Sequence, residues 1–304
     1  MILGKMYLKT SEVFGRSTFS ISQFAKLHGI SPQSAKVLLH RLKQGHQVFK
    51  TGHGAYTLLS PKHWIMLQQL RQKPRLYKLV VTSYEKYPQL SLLLLYGSQV
   101  RGDADRYSDY DVLLVLREPV VNLAEVRKEM EKQLGIRLHL TIYSEQAFKV
   151  FAISEPFLKF WFSEGMLFDE TRLAMQLAKP TARLGYLEEI QQAKTYLGLL
   201  ATERNPAVKA KYALTSLRIL LLLEHALGLD YEYGNVKKEL QEQLGELLNR
   251  IRRKGRVLSQ DATKVEKLSR IAFGKVSSQV GLLGENESDI YWKKTKGEVL
   301  EPQK

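Results

Sequence analysis

The chain contains no cysteine among its 304 residues. Disulfide bridges and thiolate metal sites are therefore excluded, and the cytoplasm is the expected location. The sequence also lacks any run of about eighteen apolar residues, the length that a membrane span requires. Its longest apolar stretches, LLLLYG and ILLLLEHALG, have the lengths of a buried strand and a buried helix. No membrane span and no membrane partner are therefore expected, and the N-terminal stretch MILGKMYLKTSEVF shows no signal-peptide cleavage pattern.

Acidic residues are nearly absent from the first 75 positions. Glu12 is the single acid there, against twelve lysines and arginines, so this segment carries a formal charge of +11 out of +15 for the chain. Such an imbalance favours a polyanionic partner, with a solvated basic surface as the alternative.

Residues 20–60 have the pattern of two helices followed by a hairpin. Apolar residues follow helical spacing in SISQFAKLHG, and Gly29 suits the left-handed position that ends a helix. Ser31 and Pro32 predict the cap and first turn of a second helix, and residues 51–54 predict a hairpin turn. This order predicts a winged helix-turn-helix over residues 1–65, followed by a linker helix at residues 66–75.

A winged helix of this charge predicts contacts with double-stranded DNA, although winged helices that contact proteins are the alternative. The second helix would enter a major groove, and the wing would reach phosphates or a minor groove. The predicted DNA-binding residues are Gln33, Ser34, Lys36, His40, Arg41, Lys43, Lys50 and His53.

Two acids open an apolar strand, ten residues after a glycine–serine pair that ends another. The pair is Gly97-Ser98, a polar loop follows, and Asp109 and Asp111 come next. Strand alternation puts both carboxylates on one face, where a hard cation such as Mg²⁺ relieves their repulsion. Gly97 lets a phosphate approach the backbone, and Ser98 offers its N–H and hydroxyl. The pattern predicts a metal–triphosphate site, with a merely acidic and polar hairpin loop as the alternative.

This segment resembles the GS-x10-DxD signature of the DNA polymerase beta-like nucleotidyltransferases, most closely their minimal members, over about residues 76–170. The resemblance implies a small mixed-sheet domain at residues 76–175 that uses ATP or another nucleoside triphosphate. It implies that Asp109 and Asp111 are catalytic residues that bind Mg²⁺ or Mn²⁺, and that Gly97 and Ser98 hold the β- and γ-phosphates. Arg101 is a candidate for neutralising triphosphate charge, with a solvated arginine as the alternative.

His139 stands where the resembling family has its third carboxylate. In the predicted strand GIRLHLTIYS, apolar residues alternate with Arg137, His139 and Thr141. Histidine accepts a proton but suits Mg²⁺ poorly. Three hypotheses follow: His139 is a catalytic base in place of the acid, the enzyme works slowly with the nucleotide-bound Mg²⁺ alone, or the site binds nucleotide without turnover.

From about residue 184 the chain has the pattern of four amphipathic helices, which predicts an all-α bundle at residues 180–284. Its order resembles the HEPN-type bundles often paired with minimal nucleotidyltransferases. Arg218 and His225 form an R-x6-H pair that is superficially like the RNase motif of that family, although they lie in the second predicted helix. Residues 285–304 are polar and charged, which predicts a flexible tail.

The predicted fold class is therefore multidomain α+β: a winged helix, a small mixed-sheet nucleotidyltransferase domain and an all-α bundle. The predicted function is Mg²⁺-dependent transfer of AMP from ATP to an acceptor hydroxyl by a DNA-binding protein. The alternative is a non-catalytic DNA-binding regulator or antitoxin-like protein whose nucleotidyltransferase fold binds nucleotide or a partner. RNA in place of DNA, a protein acceptor and a homodimer are left open.

Overall fold

The computed structural model describes residues 2–88, 90–105, 108–117, 122–252 and 257–283. These residues divide into two compact units, one within 1–146 and 165–173, the other within 147–164 and 174–304. The chain passes between the two units after residues 146, 164 and 173. The predicted domain limits at residues 65, 75 and 175 stay predictions. The tail predicted at 285–304 lies outside the described residues. Within the described ranges, no helix combines the length and the apolar character that a membrane crossing needs.

The first unit begins with helices packed on a small antiparallel sheet of order β1-β3-β2. Its elements are α1 (Ile2–Phe14), β1 (Phe19–Ser20), α2 (Ile21–His28), α3 (Pro32–Gln44), β2 (Val48–Gly52) and β3 (Ala55–Leu58). The side chains of Ser20 and Ser31 accept backbone N–H groups at the starts of α2 and α3, and Gly29 ends α2 with a φ of 62°. The two helices and the hairpin lie in the predicted order, whereas α1 is not among the predicted elements.

Helix α3 has one apolar face. Ala35, Leu39 and Leu42 are buried in one cluster with Phe24 of α2 and Val48 of β2. Their spacing of three to four residues places them on one side of the helix, so the polar residues between them face solvent.

Two helices connect this part to the second sheet of the same unit. They are α4 (Pro61–Gln69) and α5 (Pro74–Lys86), with a 3₁₀ turn at Leu70–Gln72 between them. The Arg16 guanidinium donates to the carbonyl oxygens of Leu58, Pro88 and Leu90 at 2.5, 3.0 and 3.0 Å. Because hydrogen bonds from a charged donor are strong, they fasten the first sheet to the segment that leads into the second sheet.

The second sheet has the order β6-β5-β4-β7. Its elements are β4 (Leu92–Tyr96), α6 (Ser98–Arg101), β5 (Tyr110–Leu116), α7 (Leu123–Leu134), β6 (Leu138–Ser144) and β7 (Met166–Asp169). Strands β5 and β6 are parallel and are joined through α7, while β4 is antiparallel to both β5 and β7. Leu79 of α5, Val112 and Leu114 of β5 and Met130 of α7 share one core on a single face. The mixed α+β class is confirmed.

Helices dominate the second unit. They are α8 (Glu145–Ser154), which belongs to this unit from residue 147, α9 (Pro156–Glu164), α10 (Arg183–Leu199), α11 (Pro206–Leu227), α12 (Tyr233–Leu244), α13 (Glu246–Arg252) and α14 (Ser259–Gly281), with a 3₁₀ turn at Leu173–Ala178. The third predicted helix, over residues 236–255, is corrected: it breaks at Gly245, whose φ of 52° and ψ of −129° suit a residue without a side chain. The HEPN likeness stays a prediction.

Arg218 and His225 are engaged within the second unit. His225 Nδ1 lies 2.7 Å from Asp230 Oδ2, and its Nε2 lies 3.0 Å from Glu239 Oε2. Burial lowers the pKa of His225, but its hydrogen bonds with the two carboxylates outweigh burial and raise that pKa above its usual value. Arg218 lies over the Tyr233 ring at 5.1 Å. These contacts tie α11 to the following loop and to α12, which is a structural role.

Replacing Gly185 of α10 by alanine should lower the free energy of unfolding by about 1–3 kcal/mol, the usual effect of overpacking. A Cβ at Gly185 would lie 1.7 Å from the backbone oxygen of Ser154. Urea denaturation of the full chain measures the effect. The control is Gly198→Ala in the same helix, where a Cβ meets nothing within 4 Å. A Gly185→Ala variant as stable as Gly198→Ala would contradict the close approach of the two backbones.

Candidate active site

The two acids lie where β5 begins. Asp111 has Tyr96 of β4 as its Cα partner on one side and His139 of β6 on the other. Tyr110 turns to the opposite face and is buried in the core. Because side chains alternate along a strand, Asp111 stands in a row with Tyr96 and His139 across three strands.

Each carboxylate meets a basic side chain from the neighbouring strand segment. His139 Nδ1 lies 2.9 Å from Asp111 Oδ1, and Arg137 Nε lies 3.1 Å from Asp109 Oδ1. Strands β5 and β6 are parallel, with Asp111 opposite His139. Asp109 and Arg137 each lie two residues earlier in the chain, so the same register brings them together. The structure thus brings His139 to the acid pair, and it adds Arg137, which the sequence analysis did not single out.

The environment of Asp111 disfavours its negative charge. Burial raises the pKa of Asp111 above its usual range, and the charge of Asp109 raises it further, while His139 and Arg101 lower it in part. The pKa of Tyr96 is raised by burial and by the charge of Asp111, so its phenol stays protonated. A cation that binds both carboxylates would relieve this repulsion.

Gly97 is required by the acid pair itself. Its φ is +76°, and a Cβ built there would lie 1.9 Å from Asp111 Oδ2. The glycine therefore admits the Asp111 carboxylate against the backbone, in addition to the close phosphate approach that the sequence predicts. Ser98 follows as the first residue of α6. Arg101 ends that helix, and its Nη2 lies 3.4 Å from Asp103 Oδ1. The nucleotide-binding roles of these residues stay predictions.

The donors present suit a hard divalent ion only in part. Within the described ranges, no three histidine, aspartate or glutamate side chains come together as a metal site. Asp109 and Asp111 would supply two carboxylates, which matches the way Mg²⁺ is held when substrate phosphates complete its ligands. Glu145 is not a third ligand, because it follows the far end of β6 and accepts a hydrogen bond from Ser91. Glu118 lies outside the described residues.

Residues 81–171 match the family model of the nucleotidyltransferase domain. A search of curated proteins finds no match to the chain. The matched segment includes Gly97-Ser98, both aspartates and His139, and it indicates nucleotidyl transfer in general. The segment that matches the nucleotidyltransferase model therefore contains the D-x-D pair together with a histidine at the register position beside it.

The predicted DNA-binding residues lie between positions 33 and 53 of the first unit, outside the segment that matches the family model. All eight are exposed: Gln33, Ser34, Lys36, His40, Arg41 and Lys43 on α3, Lys50 on β2 and His53 in the hairpin turn. In the part of the chain that the structure describes, no carboxylate pairs with Lys36, Arg41 or Lys43. The surface is thus basic and accessible, while its partner stays a prediction.

Proposed function

We propose that the chain transfers a nucleoside monophosphate, AMP from ATP, to an acceptor hydroxyl. The observation that carries the proposal is the acid pair at the start of β5, with Asp111 packed on Gly97 and hydrogen-bonded to His139. Asp109 and Asp111 would hold Mg²⁺ or Mn²⁺, which neutralises phosphate charge when bound. Gly97, Ser98 and Arg101 would hold the triphosphate.

In the proposed step the acceptor hydroxyl oxygen forms a bond to the α-phosphorus. The bond from that phosphorus to the oxygen bridging to the β-phosphate breaks, and pyrophosphate leaves with the electron pair. The hydroxyl proton passes to a base, and His139 is the candidate because its imidazole is held beside Asp111 and is 61% exposed.

The test uses the purified full chain with α-labelled or γ-labelled ATP, Mg²⁺ or Mn²⁺, and cell extract as the source of acceptors. Nucleotidyl transfer moves the α-label to an acceptor and releases the γ-label as pyrophosphate. Transfer of the γ-label instead would identify a kinase and overturn the proposal.

A second candidate is a regulator that binds nucleotide without turnover. The observation in its favour is that Arg137 and His139 already pair with both carboxylates. In that case the DNA-binding part would report on nucleotide bound in the same unit.

Both candidates share a DNA-binding part. We expect α3 and the hairpin to bind duplex DNA with an affinity that falls steeply with salt, because phosphate contacts release counterions. Arg41→Ala and Lys36→Ala should each weaken binding and reduce the log–log salt slope by about 1. Fluorescence anisotropy from low to moderate salt measures this, with Lys128→Ala on α7 as a charge-matched control. If the full chain shifts no duplex at low salt, this part of the proposal fails.

A further inference from the structure

A polar cleft of about 510 Å³ lies beside the acid pair, within the first unit. It is lined by residues of α5, α6, β5 and α7, by residues 104, 105 and 108 before β5, and by residues 135–137 before β6. Tyr110 lines this cleft, and alternation along β5 turns Asp111 to the other face of the sheet. Asp111 and Ser98 are accordingly not among the described residues that line the cleft, so the cleft adjoins the proposed triphosphate site without coinciding with it. Its volume is that of a small-ligand site.

The acids of the cleft already have partners in the chain, whereas one of its arginines does not. Glu131 accepts the backbone N–H of Leu138 at 2.8 Å, and Asp105 accepts the Ser108 hydroxyl at 2.9 Å. Arg75 is exposed in the first turn of α5, and no carboxylate in the described ranges pairs with it. A guanidinium of this kind recognises phosphate through two parallel hydrogen bonds.

Arg137 belongs both to the cleft and to the acid pair. Its side chain lines the cleft, and its Nε donates to Asp109 Oδ1 at 3.1 Å. A ligand that binds this guanidinium in the cleft would therefore share Arg137 as a contact with Asp109. The remaining wall is mixed: Tyr110, which is 8% exposed, and Ile136 lie beside the polar Gln99 and Ser108.

We propose that the cleft binds a nucleoside monophosphate unit of the acceptor, with its phosphate on Arg75 and Arg137. Two arginines suit the phosphate, and a wall that is part apolar and part polar suits a base and a ribose. The inference rests on the proposed function and names the acceptor as a nucleotide hydroxyl. The nucleotide is either a free mononucleotide or the end of a nucleic-acid strand.

The experiment measures binding of AMP to the full chain by calorimetry in EDTA, so that no divalent ion takes part. We expect AMP to bind and adenosine to bind at least about tenfold more weakly, since adenosine lacks the phosphate that would accept charge-assisted hydrogen bonds from the two guanidiniums. Arg75→Ala should weaken AMP binding by about tenfold, and Arg75→Lys should restore it only in part. Lys73→Ala, two residues earlier and outside the cleft, is the charge-matched control.

Competition separates the cleft from the triphosphate site. AMP bound in the cleft should persist when Mg²⁺ and an ATP analogue with a non-cleavable α,β-bridge are added. It should be displaced by a short oligonucleotide with a free 3′-hydroxyl if the strand end is the natural ligand. Persistence against the oligonucleotide would indicate the free mononucleotide. Equal affinity for adenosine and AMP, displacement by the ATP analogue, or unchanged binding in Arg75→Ala overturns the inference. A natural chain that binds AMP but neither binds ATP nor transfers its nucleotidyl group would overturn the proposed function and leave the cleft inference standing.

Discussion

Replacing Asp109 and Asp111 together by asparagine is expected to lower nucleotidyl transfer by about 10³-fold or more. The same variant should lose the part of ATP binding that depends on a divalent cation. Asparagine keeps the shape of each side chain but removes the two charges that a metal–triphosphate requires. The rates are measured with α-labelled ATP, and binding is measured by calorimetry with Mg²⁺ and with EDTA.

The single variants sharpen this test. Asp111 is 24% exposed and lies against Gly97, whereas Asp109 is 48% exposed and pairs with Arg137. We therefore expect Asp111→Asn to be the more damaging of the two. Glu129→Gln removes an exposed carboxylate from α7 and serves as the control. ATP binding that is equal with and without metal, or equal in the double variant, would exclude a metal–nucleotide site at these residues.

The signals that are local in sequence were the ones that could be predicted. The helical spacing in α2, its end at Gly29, the cap at Ser31 and the strands around the D-x-D pair each depend on neighbouring residues. The position of His139 followed from counting along a predicted strand, and the parallel register places it beside Asp111.

The pairing of Arg137 with Asp109 could not be predicted in this way. It depends on the register between β5 and β6, which packing of the whole sheet decides, and a slip of one residue would turn His139 away from Asp111. The cleft has the same origin, because Arg75 and Arg137 are far apart in sequence and come together only when α5 and β6 pack in one unit. The break at Gly245 was missed because an amphipathic pattern continues on both sides of it.

His139 decides between transferase and sensor, and its substitution has the second large expected effect. If the imidazole accepts the acceptor proton, His139→Ala should lower turnover by about 10²-fold or more. Binding of ATP with Mg²⁺ should change little, since Asp109 and Asp111 still hold the nucleotide. Single-turnover rates and calorimetry on the same preparation separate the two quantities.

The His139→Asp variant is compared with His139→Ala. It places a third carboxylate in register with Asp111. This is the position at which the DNA polymerase beta-like nucleotidyltransferases, which the segment resembles, have their third acid. This carboxylate, Asp109 and Asp111 would repel one another unless a cation is bound, so binding of Mg²⁺ should become tighter and activity should be kept or raised. Thr141→Asp, two residues further on the same face of β6, is the control for adding a charge.

The outcomes are distinct. Turnover in the natural chain that falls in His139→Ala supports the histidine as base. A natural chain that transfers nothing to any acceptor, beside a His139→Asp variant that does, identifies a nucleotide sensor whose third carboxylate has been replaced by histidine. Unchanged turnover in His139→Ala would leave Asp109 and Asp111 as the catalytic residues and would reduce the imidazole to a hydrogen-bond partner of Asp111.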